Sequence, residues 1–71
     1  MNLRELLKSR RWNGSTLARE LKVSPATVHL WLKGETEPSI ETIKKIAELC
    51  AVSLTTVFNA ILKTKEQAKV E

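Results

Sequence analysis

Residues 14 to 34 carry the signals that most constrain this chain: two short helices in succession, joined by a tight turn. Leu17, Ala18 and Leu21 mark the inner face of a helix of about two turns, for which Asn13 is the expected N-cap and which ends near Lys22. Val23 then leads into Ser24-Pro25, an N-cap followed by proline at the first helical position, where the missing N–H costs nothing and the fixed φ suits the helix. This second helix turns Val28 and Trp31 inward, and Gly34 falls where a left-handed C-cap is wanted.

The flanking segments read as helices too. Residues 3 to 10 place Leu3, Leu6 and Leu7 on one face, with Asn2 able to cap them. Trp12 is expected to staple this helix to the next, because an indole is rarely left fully exposed. After the polar loop Glu35 to Pro38, Ser39 caps a fourth helix whose Ile40, Ile43, Ile46, Ala47 and Leu49 form a broad apolar face ending around Cys50-Ala51. Ser53 caps a fifth, with Leu54, Val57, Phe58, Ile61 and Leu62 along its stripe. The expectation is one all-α domain of five helices over residues 1–62 and a polar tail, 63–71, that frays. No alternating strand pattern, repeat or low-complexity tract competes with it.

Composition narrows the class. At 71 residues, 42% hydrophobic and 28% charged, the chain has material for one core and no apolar run of the roughly 18 residues that span a bilayer. The N-terminus, Met1-Asn2-Leu3-Arg4-Glu5, lacks the pattern of a secretory signal, so an intracellular, cytoplasmic protein without membrane partners is expected. The lone Cys50 permits no internal disulfide and reads as a small core residue; no metal set is apparent. Net charge is +4, unevenly placed: residues 1–34 hold seven Lys/Arg against Glu5 and Glu20, a balance of +5, while residues 35–71 hold five against six Glu, a balance of −1. A basic half beside a near-neutral half suits a polyanionic partner.

A two-turn helix, a tight turn and a second capped helix can lay that second helix in the DNA major groove, which is wide enough for it. Here the sequence resembles the lambda-repressor and Cro-type (XRE-like) helix-turn-helix family. The match runs through Leu17-Ala18, Leu21, Val23-Ser24, Val28, Trp31 and Gly34, continues into Pro38-Ser39-Ile40-Glu41-Thr42-Ile43, and ends with Val52-Ser53-Leu54. The resemblance implies a compact five-helix DNA-binding fold with the helix-turn-helix formed by helices 2 and 3. It also implies a close crossing of helices at Ala18 and phosphate contacts from Lys33, Thr36, Ser39 and the helix starts near Ser24 and Ser39. Arg10, Arg11, Arg19 and Lys22 are further phosphate candidates.

The chain departs from the family at two positions. Lys22 stands where the family turns on glycine, so it must adopt φ > 0 or reshape the turn. Gly14 stands where the family often carries a glutamine that bonds a phosphate and braces the reading helix. That helix presents Pro25, Ala26, Thr27, His29 and Leu30 rather than the Gln, Asn and Arg that bond bases bidentately, which points to thymine-methyl contacts and DNA shape as the means of recognition.

Helix five carries more apolar surface than one domain needs. Leu54, Val57 and Phe58 are expected to close the core and leave Ile61 and Leu62 partly uncovered, so a symmetric dimer on DNA through Leu54, Val57, Phe58, Ile61 and Leu62 is expected. The family resemblance implies a transcriptional regulator, of which a phage- or plasmid-type repressor is the leading form. The alternatives are an antitoxin-type autoregulator, or a protein-interaction module or anti-repressor using Leu30 and Leu32. No paired carboxylates, phosphate-cradling glycine loop or nucleophile–base pair suggests an enzyme, and no cofactor or small-molecule ligand is expected.

Overall fold

The computed structural model describes residues 1–69. Its five helices are α1 (Leu3–Ser9), α2 (Gly14–Leu21), α3 (Pro25–Lys33), α4 (Ile40–Cys50) and α5 (Leu54–Lys69), with no strand among the described residues. No single helix is long and apolar enough to cross a membrane.

Each helix starts on a side-chain cap. Asn2 and Asn13 form reciprocal capping boxes with Glu5 and Thr16, and the Ser24, Ser39 and Ser53 hydroxyls accept from the N–H groups of Thr27, Thr42 and Thr56. The helix ends also share one device. A backbone N–H five residues on bonds back into the last turn: Trp12 to Leu7 O, Val23 to Ala18 O, Glu35 to Leu30 O and Val52 to Ala47 O, at 2.8 to 3.1 Å. This closure demands a left-handed residue, and Arg11 (φ 63°), Lys22 (φ 58°), Gly34 (φ 80°) and Ala51 (φ 56°) supply it. For a non-glycine residue that conformation costs on the order of 1–2 kcal/mol. Where the strained residue is not glycine, the next one is Trp12, Val23 or Val52, an apolar side chain packed against the core, whose burial offsets the strain. After α3 the next residue is the exposed Glu35, and there the chain uses Gly34.

Leu3, Leu6, Leu7, Leu17, Leu21, Val28, Trp31, Ile43, Ile46, Val57 and Ile61 fill the core, with the smaller Ala18, Ala47, Cys50 and Ala60 buried among them. Helix α5 is the axis of assembly, touching α1, α3 and α4, while α2 packs chiefly on α3.

Four expectations change. Helix α5 does not stop at Leu62. It runs on to Lys69 because Ala60 and Thr64 extend the inner row of Val57 and Ile61 at three- and four-residue spacing, so the segment expected to fray is helical as far as Lys69; Val70 and Glu71 lie outside the described residues. Second, Leu54 and Phe58 stay about 40% exposed rather than closing the core, and Val57 and Ile61 are the buried pair. Third, Ile40 is 64% exposed, since as the first residue of α4 it precedes the inward row that begins at Ile43. Fourth, Trp12 takes on a contact that was not expected: its indole Nε1–H donates to Leu49 O at 3.3 Å and ties the end of α1 to α4.

Candidate nucleic-acid interface

Helices α2 and α3 meet at Ala18 and Val28, which are fully buried, with Val23 half-buried in the angle between them. The turn holds the length expected for it because Lys22 takes the left-handed conformation instead of reshaping the chain. The outer row of α3 is left free: Pro25, Ala26, His29, Leu30 and Lys33 are exposed, Leu30 at 37%. Thr27 is half-buried and its hydroxyl lies 2.8 Å from that of Ser24, so the cap engages the oxygen expected to reach a base. Leu32 is half-buried against the core, leaving Leu30 as the exposed leucine of the helix.

The polar candidates separate into groups. Ser24 and Ser39 are exposed at helix starts and Thr36 is exposed in the loop between α3 and α4, with the Ser39 hydroxyl 3.0 Å from that of Thr42. Lys33 pairs with Glu35 at 3.2 Å on the surface, a contact worth little in water and readily exchanged for a phosphate. Arg19 and Lys22 are exposed on and just after α2, and Arg11 in the turn before it. Arg10 stands near enough to Cys50 for its charge to act on the thiol, which puts it at the C-terminal end of α4. Burial pushes the Cys50 thiol up from its ordinary value, and the Arg10 charge offsets part of that rise.

Sequence reasoning passed over Arg4. With Asn13, Gly14, Ser15, Pro25, Ala26, His29 and Leu32 it lines an open groove between α1, the start of α2 and the first turns of α3. A signal was present, since Arg4 and Lys8 stand four residues apart on one side of α1. The expected dimer residues also divide: Val57 and Ile61 are core, whereas Leu54, Phe58 and Leu62 are exposed, and Phe58 and Leu62 line a shallow apolar groove with Ile40. Among the described residues no three His, Cys, Asp or Glu side chains gather as a metal would require.

A protein-family model described as helix-turn-helix matches residues 3–57, most of the chain. No curated protein and no solved structure matches it.

Proposed function

We propose, from the premise that the chain belongs to the helix-turn-helix family of lambda-repressor type, that this DNA-binding regulator represses transcription by occupying an operator as a dimer, in the manner of phage or plasmid repressors. The observation that carries the reading is the outer row of α3. A helix capped at both ends is held against α2 by Ala18 and Val28 while Pro25, Ala26, His29, Leu30 and Lys33 remain uncovered. Such a row fits a major groove, where Ala26, Leu30 and the Thr27 methyl meet thymine methyls and His29 adds a polar contact. Ser24, Lys33, Thr36, Ser39, Arg10, Arg11, Arg19 and Lys22 would set register on the phosphates. Leu54, Phe58 and Leu62, joined by Ile40, would face the second copy, so that two reading helices meet half-sites about one helical turn apart.

One observation favours a second reading, a protein-binding module on the same scaffold: Leu30 puts an apolar side chain at the middle of the reading face. Selection from randomised duplexes at two salt concentrations separates the two. A T-rich, two-fold motif whose affinity falls steeply with salt is expected for the repressor. Weak binding without a motif would favour the module.

A further inference from the structure

We propose that Arg4 seats one backbone phosphate of the bound duplex in the groove between α1, α2 and α3, and is thereby a positioning residue for recognition. The inference rests on the duplex-binding reading above. The groove is shaped by what its residues lack. Gly14 brings no side chain, and a Cβ built there would meet only Val28 Cγ1 at 3.7 Å and Leu32 Cδ1 at 3.8 Å, ordinary contacts. Facing it, Pro25 and Ala26 are short. The space above Gly14 therefore stays open, and Arg4 is the long side chain on its rim.

Charge says what fits there. The lining holds Arg4 and His29 and no carboxylate. Arg4 makes no ion pair among the described residues, whereas Lys33 is held by Glu35 at 3.2 Å and the neighbouring Glu5 carboxylate accepts the Asn2 N–H at 2.9 Å. An unpaired guanidinium matches a phosphodiester with two parallel N–H donors, a fork that lysine lacks. The groove is also continuous with the reading face, because Ala26 and His29 belong to both. A phosphate held there would lock α3 against the bases while α1, which contributes no base contact, fixes the angle of entry.

The test uses the duplex recovered from the randomised selection, intact and with a single neutral methylphosphonate placed at each linkage in turn. Arg4→Ala is expected to weaken binding about tenfold and to lower the log–log salt slope by about 0.9 per protomer. It should also abolish sensitivity to neutralisation at one linkage in each half-site. Arg4→Lys should recover the salt slope and only part of the affinity, and Lys44→Ala, on α4, should leave the linkage map unchanged. Where Arg4→Ala lowers stability, the map still decides, because a folding defect weakens every linkage alike and a lost phosphate contact removes one. Wild-type protein that fails to bind any duplex overturns the functional reading and this inference with it. Wild-type binding with an Arg4→Ala map identical to it overturns the phosphate seat alone.

Discussion

The Thr64 hydroxyl oxygen accepts the Leu3 backbone N–H at 2.8 Å and donates to Ala60 O at 2.8 Å, so a side chain near the end of the chain caps the first helix from the inside. Both partners are buried, and no water need complete the arrangement. Asn2 Nδ2 donates to Gln67 Oε1 at 2.6 Å alongside it. The last turns of α5 thus hold both the start of α1 and, through Gly34, the end of α3.

Thr64→Val keeps the volume and leaves the Leu3 N–H buried without a partner, a loss of about 1–3 kcal/mol. For a domain this small each kcal/mol moves the melting temperature by roughly 4–8 °C. Thermal unfolding should show that drop, with Thr64→Ser close to wild type. Equal melting of all three proteins would refute the role assigned to this hydrogen bond.

The two glycines should respond in opposite directions to alanine. At Gly34, φ is 80° and a new Cβ would lie 2.8 Å from Ala68 Cβ and 3.0 Å from Thr64 O, so Gly34→Ala is expected to cost more than about 2 kcal/mol. At Gly14 the backbone is helical and the Cβ finds ordinary contacts, so Gly14→Ala should be neutral or stabilising by about 0.4–1 kcal/mol. Denaturant midpoints of the pair measure the contrast directly.

Apolar positions on α5 should divide by face. Ile61→Ala opens the core and is expected to destabilise by about 2–5 kcal/mol. Leu62→Lys, at a side chain 57% exposed, should leave the fold within about 0.5 kcal/mol of wild type while abolishing dimerisation on a two-site duplex. Sedimentation of the free and DNA-bound protein reads the second effect, and an unchanged dimer would move the interface elsewhere.

Burial raises the Cys50 thiol above its reference value of 9.0, so the folded state retains a proton that the unfolded chain gives up. Its contribution to stability is full below the unfolded pKa and is lost as pH rises through the folded one. Unfolding free energy should therefore fall above about pH 9, and Cys50→Ala should flatten that decline. A slope identical in both proteins would assign the alkaline loss to other groups.

Much of the fold is legible in the chain because its signals are local. Asn2, Asn13, Ser24, Ser39 and Ser53 each cap the helix they precede, and the helix-turn-helix follows from Ala18, Ser24-Pro25, Val28 and Gly34. The site is half legible. The exposed row of α3 follows from the inward positions of Val28 and Trp31, but the groove that Arg4 lines beside it arises from the way α1 docks beside α2 and α3. Nor does an apolar stripe on α5 reveal which of its members face inward when Ala60 and Thr64, neither strongly apolar, belong to the buried row.

By itself, then, the sequence determined where the five helices begin, where the first four end and which face of α2 and α3 turns inward, since capping and helical periodicity act within a few residues. The tertiary structure alone decided that Thr64 lies inside, that Trp12 reaches α4, that Val57 and Ile61 belong to the core while Leu54, Phe58 and Leu62 do not, and that Arg4 lines an open groove beside Gly14. Those outcomes depend on the angles at which helices distant in sequence pack. A buried polar group is tolerated only when such packing brings it a partner, as Leu3 and Thr64 do for each other across 61 residues of sequence.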